Sequence, residues 1–359
     1  MKDTDTGASN HDMPKLQDVA RLAGVSAASV SRVLNNVHPT SERLRRTVEA
    51  AVRDLGYEPR NPSPTTRLDY VGILTADLLN PYFNEMIAGI EDRTASHQVA
   101  CSIFDLKRKQ LGWDAAKRSF SAMPPRGCVV LGYALNDGEL IELSDRLHVS
   151  VVAVHHSIRH PLIKTVNIDY GKASYDAMSH LLRLNHRSIV FLGGFSASHM
   201  NQGKLLGVAK AAKEAGVSWS EANVIYGEPS VEWGYRVTKR LFALPKEKRP
   251  TAVLCACDLI AIGVLHAVRS SGYAVPDDLS VIGFDDIVMA CHTNPPLTTI
   301  SVPKYEMGCT SAELILRGQA APSHLNDYLM LESPLLVRDT TAICVPGLST
   351  EWTAAVGSV

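Results

Sequence analysis

The segment at residues 16–35, LQDVARLAGVSAASVSRVLN, constrains this chain more than any other feature. Apolar residues recur at helical spacing on both sides of Gly24, so it reads as a helix, a glycine-centred turn and a second helix. Val19, Ala20, Leu22 and Ala23 are expected to form the inward face of the first helix. Gly24 supplies the turn, where a left-handed or crowded backbone is easiest without a Cβ. Val25 is expected to plug the gap between the helices, and Ser26 to cap the second through its hydroxyl oxygen. Val30, Val33 and Leu34 bury that second helix, which turns Ala27, Ala28, Ser29, Ser31 and Arg32 outward. This is the layout of a helix-turn-helix, whose second helix enters a DNA major groove. An ordinary helical hairpin has the same periodicity, so the neighbouring residues have to decide between them.

Ser41 is positioned to cap a third helix carrying Leu44, Val48, Ala51, Val52 and Leu55, with Gly56 ending it. Between residues 13 and 68 there are nine Lys and Arg against five Asp and Glu, although the whole chain carries a net charge of −1. A small basic module on a larger acidic body suits phosphate contact at one end only. The full length of 359 residues calls for two or three domains. With 45% hydrophobic and 20% charged residues the composition is that of an ordinary soluble protein, neither disordered nor fibrous.

Beyond residue 70 the pattern changes to short β-branched runs (71–75, 99–104, 128–132, 150–154, 188–192, 252–256, 280–283) alternating with helical stretches (82–97, 170–184, 204–215, 231–241, 259–271). Such alternation predicts parallel sheets covered by helices on both faces. About 270 residues exceed one sheet of this kind, so two α/β lobes are expected. Ligands of open α/β sheets bind where loops converge at the carboxyl ends of the strands. In the stretch 82–97, Phe83, Met86, Ile87 and Ile90 share one side, either as an interface helix or by burial within their own lobe.

Seven cysteines, an odd number set mostly in apolar runs such as CVVLG and AVLCAC, indicate packed thiols in a reducing compartment. No apolar run approaches the ~20 residues that span a membrane, and the polar, acidic first residues are not a secretory signal, so the cytoplasm is expected. No glycine-rich phosphate loop and no nucleophile elbow is present, so no enzyme is indicated. His155-His156 with His160, and Cys255 with Cys257, carry ligand-type side chains but match no standard zinc spacing, and no metal or cofactor is expected.

The run DVARLAGVSAASVSRVLN followed by LGYEP resembles the headpiece of the LacI/GalR family of bacterial transcription regulators. Gly72-Ile73-Leu74, Asn80-Pro81-Tyr82-Phe83, the run from Ser280 to Asp286 and the run from Pro296 to Ile300 extend the similarity over nearly all of residues 14–341. The resemblance implies a three-helix headpiece at 14–60, a linker at 61–70 and a two-lobed, periplasmic-binding-protein-like α/β effector domain at 71–341. Tails at 1–13 and 342–359 flank them. It also implies three chain crossings between the lobes, a palindromic double-stranded operator, a small-molecule effector in the cleft and a homodimer. The tail after residue 345 has no leucine heptads, which favours a dimer over a coiled-coil tetramer.

On the DNA side, the resemblance implies Ser26 at the DNA-facing start of the second helix and puts Ala27 and Ala28, the two residues after it, where larger polar or aromatic base readers are usual. Alanine offers only methyl contact, so base reading is expected to fall to Ser29, Ser31 and Arg32. Asn35, Asn36, Thr40, Ser41 and Tyr57 are expected to meet DNA as well, the first four by positioning phosphates near helix ends. Residues 60–68 stand where the family folds a hinge helix onto operator DNA, with Leu68 the sole candidate wedge. Pro64 opposes helical angles at Ser63, so that insertion is not expected here.

On the effector side, the resemblance implies Asp77, Tyr82 and Phe83 at the cleft and Asp285 as a hydroxyl acceptor. Three positions depart from the usual sugar-binding set: Lys204 where arginine is usual, His155 where aspartate is frequent, and Cys257 where asparagine is frequent. Either sugar choice is retuned, or the effector carries a carboxylate or phosphate beside Lys204 and His155. The other function compatible with the sequence is a cytoplasmic ligand-binding protein with a headpiece too altered to read DNA.

Overall fold

The computed structural model describes residues 15–35, 41–57, 69–107, 109–146, 149–194, 199–317 and 328–345. These form two compact units that divide between Asp69 and Tyr70. The sequence-expected linker at 61–70 therefore falls, apart from its last two residues, outside the described residues, and with it the question of a hinge helix.

The first unit consists of α1 (Leu16–Ala23), α2 (Ala27–Asn35) and α3 (Glu42–Leu55). α1 ends on Gly24 and α3 on Gly56, both in the left-handed region, at φ 63° and 59°, where glycine avoids a Cβ clash. Val19, Val30 and Val48 are completely enclosed, one from each helix, with Ala20, Val33 and Ala51 around them. Leu22 departs from expectation. It is 53% exposed, because the side of α1 that meets α2 and α3 carries Val19 and Ala20 and turns Leu22 away.

The second unit holds two six-stranded sheets. The first lobe contains β1 (Tyr70–Thr75), α4 (Pro81–Ala95), β2 (Ala100–Asp105), α5 (Lys109–Ala122), β3 (Gly127–Leu131), α6 (Asp137–Ile141), β4 (Val151–Val154) and β5 (Ile163–Ile168). The chain then crosses into the second lobe, with α7 (Tyr170–Arg183), β6 (Ile189–Gly193), α8 (His199–Glu214), β7 (Val224–Tyr226), α9 (Val231–Phe242), β8 (Ala252–Cys255), α10 (Asp258–Ser270), β9 (Ser280–Asp285) and β10 (Thr298–Ser301). It returns as α11 (Lys304–Leu316) and β11 (Tyr328–Leu331), and crosses a third time to β12 (Leu335–Leu336). The strand orders are β11-β5-β4-β3-β1-β2 and β12-β10-β9-β8-β6-β7. Every pairing is parallel except β10 with β12. Three crossings and two parallel sheets are what the strand-helix alternation and the resemblance led one to expect.

The strands sit between helix layers, so they read as continuous apolar runs: β1, β3, β4, β6 and β8 are buried at every position. Phe83, Met86, Ile87 and Ile90 of α4 are buried within their own lobe, where α4 packs on α11, so this face is not open to a second chain. Three helix pairs approach backbone to backbone at glycines: α4 with α11 at Gly89 and Gly308, α7 with α8 at Gly207, and α9 with α10 at Gly234 and Gly263. The expected tail at 342–359 begins with placed residues. Ala342 N donates to Ser280 Oγ at 3.1 Å, Cys344 N donates to the Leu184 carbonyl at 2.7 Å, and Cys344 is buried. Residues 346–359 lie outside the described residues.

Candidate functional site

In the first unit, Ser26 caps α2 as its position suggests, accepting from Ser29 N at 3.1 Å while the two hydroxyls hydrogen-bond to each other at 2.8 Å. Ser26 and Ser29 thus fix the start of α2. Ala27 does not point fully outward as expected. It is half-buried against the headpiece core, because the first turn of α2 leans on Val25 and its neighbours. Ser31 is half-buried. Ala28, Arg32 and Asn35 lie on α2, but their side chains fall outside the described residues, as do Asn36 and Thr40 entirely. Ser41 caps α3, accepting from Leu44 N at 3.4 Å. Tyr57 is half-buried against the headpiece core and its N–H satisfies the Val52 carbonyl at the end of α3.

In the second unit, the carboxyl ends of both sheets face a cavity of about 280 Å³. Six of the seven expected effector residues line it: Tyr82, Phe83 and His155 from the first lobe, Lys204, Cys257 and Asp285 from the second. Tyr82 and Phe83 stand on the first turn of α4, which Asn80 caps by accepting from Tyr82 N, with Pro81 in the first helical position. His155 follows β4 directly, and Asp285 ends β9. Asp77 does not reach this cavity. Its carboxylate is spent on its own loop, accepting from Leu79 N and from Lys107 Nζ, each at 2.9 Å. Tyr133, Tyr170, Met200, Asn201 and Leu259 also line the cavity and were not singled out from sequence. The signal for Tyr170 was present: it opens a helix at the first crossing, where both lobes converge.

His155 is enclosed and left-handed, at φ 67°. Its Nε2 meets the Tyr82 hydroxyl at 2.6 Å and its Nδ1 meets the Tyr170 hydroxyl, so both ring nitrogens are engaged. Burial, assisted by the charges of Lys204 and His156, lowers its pKa to about 3. It is therefore neutral at pH 7. The neighbouring His156 is likewise occupied, with Nε2 2.6 Å from the Gly132 carbonyl oxygen.

Lys204 donates to the Ala256 carbonyl at 2.7 Å, and its ammonium lies 3.6 Å from the centre of the Phe284 ring. Phe284 stacks on Tyr170 at 6.0 Å and 26°. Burial pushes the Lys204 pKa down, and the carboxylates of Asp285 and Asp258 push back. Burial likewise raises the Asp285 carboxyl well above its usual range, opposed by Lys204 and Lys304. Burial foremost, with Asp285 adding to it, raises the Cys257 thiol to about 12, so it is not a nucleophile at neutral pH. The cavity therefore offers aromatic walls, a thiol, and one cation and one carboxyl that offset each other.

Residues 15–60 match the family described as bacterial regulatory proteins, lacI family, and residues 178–341 match a periplasmic binding protein-like domain. The chain is 32% identical over 335 residues to the HTH-type transcriptional repressor CytR of Escherichia coli strain K12, covering 91% of this chain and 96% of that one. It is 30% identical to the HTH-type transcriptional regulator RegA of Clostridium saccharobutylicum, covering 91% and 98%. Among solved structures it is similar to a transcriptional regulator CelR–cellobiose complex (26% identity, 91% and 99% coverage, TM-score 0.68). It is also similar to the lac repressor dimer bound to operator and the anti-inducer ONPF (26% identity, 92% and 100% coverage, TM-score 0.67). Nearly complete coverage of a relative above 30% identity, with the headpiece and two-lobed fold both in place, means that the chain belongs to the lacI family of bacterial regulatory proteins.

Proposed function

We propose that the chain is a ligand-controlled transcriptional repressor, a regulator and not an enzyme. It binds a two-fold operator as a homodimer in the cytoplasm, with its effector in the cavity between the lobes. The observation that carries this reading is one cavity walled by Tyr82, Phe83 and His155 from one lobe and by Lys204, Cys257 and Asp285 from the other, in a chain that opens with a helix-turn-helix. A molecule held there touches both lobes, so it favours one lobe arrangement over another and shifts operator affinity by that difference. The relatives support the parts: the lac repressor structure is a dimer on operator with a small molecule, and the CelR structure holds cellobiose.

The charge balance favours an uncharged effector. His155 is neutral, and the Lys204 ammonium is already held by a carbonyl, an aromatic face and the field of Asp285. An anion entering here would meet one compensated cation and an enclosed carboxyl, and would lose its hydration.

On DNA, Ser29, Ser31 and Arg32 read bases from α2, Ala28 contributes methyl contact, and Asn35, Asn36, Thr40 and Ser41 hold phosphates. Arg32→Ala lowers specific operator affinity by about 1–3 kcal/mol, measured by gel shift against random competitor DNA. The proposal as a whole is tested by footprinting the full chain on the DNA upstream of its own gene, with and without fractionated metabolites. A protected palindrome whose occupancy changes with one fraction is expected; no preference for any duplex in either state would refute it.

A further inference from the structure

Beyond Asn80, Tyr133, Pro229 and Leu259 the space between the lobes widens into an outer chamber of about 530 Å³. Among the described residues lining it, three are charged: Asp77 and Lys107 from the first lobe and Glu228 from the second. Lys107 is paired with Asp77 at 2.9 Å, and Asp77 is anchored by also accepting from Leu79 N. Hydrogen bonding and charge from Asp77 raise the Lys107 pKa, and Asp105 and Glu228 add to it. Glu228 therefore lies within electrostatic reach of Lys107, though not in ion-pair contact with it.

Both charges stand on braced turns. Lys107 N donates to Asp105 Oδ1 at 2.9 Å, and the preceding Leu106 is buried and donates its N–H to the Thr75 carbonyl at 2.8 Å. On the other side, Gly227 is pressed against Trp233, where an added Cβ would lie 1.9 Å from the indole. Ser230 caps α9 by accepting from Trp233 N at 3.2 Å. Glu228, exposed between these two anchors, is held in place by its backbone. One ammonium thus faces two carboxylates on opposite walls, and as the lobes stand it belongs to Asp77. A closing movement brings Glu228 onto Lys107. Without Lys107 the same movement would press two carboxylates together, which costs free energy.

We infer that Lys107 and Glu228 form an electrostatic latch across the mouth of the cleft, with Asp77 the competing first-lobe partner that holds the latch open. The latch biases the lobe arrangement of the ligand-free protein. Its bearing on DNA rests on the reading that this arrangement sets operator affinity. Both side chains are exposed, and charges in water are screened beyond roughly 8 Å at physiological salt, so added salt opens the latch.

The test is zero-length carbodiimide crosslinking of the full, ligand-free chain, read by peptide mass spectrometry, because this reagent joins an amine to a carboxylate only when they touch. The Lys172–Asp176 pair, 2.7 Å apart on α7, is the internal control. Crosslinks of Lys107 to both Asp77 and Glu228 are expected, the second falling relative to the control in about 1 M potassium chloride. Asp77→Asn keeps an acceptor for Leu79 N and removes the competing charge. The Lys107–Glu228 crosslink should then grow by up to about fivefold, the reach of one partly exposed ion pair. A purely structural Asp77–Lys107 pair predicts no growth. Absence of any Lys107–Glu228 crosslink in the unaltered chain and in Asp77→Asn, with the control formed, overturns the latch. The regulatory role is read separately by gel shift on the DNA upstream of the protein's own gene. Asp77→Asn favours closure and Glu228→Gln favours opening, so the two must move operator affinity in opposite directions, each by up to about fivefold. Movement in one direction by both, or none by either, overturns the regulatory role. Expected crosslinks with no duplex bound by the unaltered chain would refute the function proposed above and not the latch.

Discussion

His155 is a fixed piece of wall. A left-handed, enclosed histidine with a tyrosine hydroxyl on each ring nitrogen has neither room nor reason to take a proton at pH 7. Folded, it binds a proton only near pH 3, whereas an unfolded histidine does so near 6.5. The unfolded chain thus holds more protons between those values. The stabilisation is complete above 6.5 and is lost as pH falls towards 3. For one such group the loss is about 1.4 kcal/mol per pH unit. His186, lowered by burial to about 4, acts in the same direction, while Asp258, raised by burial to about 7, acts in the opposite one. Comparison with His155→Asn isolates the single residue. Urea midpoints taken from about pH 7 to about pH 5 should fall less steeply in the variant, and parallel slopes would show that His155 titrates normally. Asp258 offers a second residue-scale expectation. It is completely buried and accepts from Thr299 Oγ1 at 2.6 Å and from Ile287 N at 2.9 Å. Asp258→Ala leaves both donors without a partner and should cost about 3 kcal/mol in a urea melt. Sequence located His155 and Lys204 as departures from a sugar-binding pattern, but not how their polar atoms are held. That depends on tyrosines 73 and 15 residues away from His155 and on the Ala256 carbonyl, 52 residues from Lys204, which no local pattern brings together.

The strand-helix alternation was legible in β1, β3, β8 and α9, each of which has one buried face or is uniformly apolar. It gave no element for α5, β5, β7, β10, α11 or β11, and at α11 and β5 the cause is plain. α11 packs beside α4 on the first sheet and buries Lys304, Met307, Gly308, Ser311, Ala312, Ile315 and Leu316; these follow one helical stripe, but a lysine, a glycine and a serine in it break up the apolar signal. β5 carries Lys164, Thr165 and Asn167 in an otherwise apolar run, and the last two are buried. Asn167 is satisfied there by donating to the His156 carbonyl at 2.8 Å. The glycine crossings show what holds these helices so close. A Cβ added to Gly308 would lie 2.1 Å from the Met86 carbonyl oxygen, and neither backbone can yield without separating α11 from α4. Gly308→Ala should therefore destabilise the chain by about 3 kcal/mol, the upper end of ordinary overpacking, as read from its urea unfolding midpoint. A change below a few tenths of a kcal/mol would mean that the helices slide apart freely.

For the whole molecule, function requires that events in the cavity alter how the lobes are held, and Lys304 is placed to feel both. It opens α11 directly after the second crossing and is 3% exposed. Its ammonium donates to the Asp285 and Asp286 carbonyls at 2.6 and 2.8 Å and to the Val302 carbonyl at 3.3 Å. Glu85 of α4, in the other lobe, lies 3.6 Å from it. Asp285 and Asp286 are themselves left-handed, at φ 118° and 55°, so this lysine holds a strained turn whose first residue lines the cavity. A ligand that engages Asp285 therefore pulls on the same turn that Lys304 ties to the opposite lobe. Coupling between two such sites is typically about 1–3 kcal/mol, or about 5- to 150-fold in operator affinity, and the operator must change ligand affinity by the same factor. Lys304→Met keeps the length of the side chain and removes its charge and donors. Operator binding without ligand should persist in this variant, while the ratio of operator affinities with and without ligand falls towards one. Titrating both legs of the cycle checks the result internally, since the two ratios must agree in each protein. An unchanged ratio in Lys304→Met would place the transmission elsewhere in the three crossings.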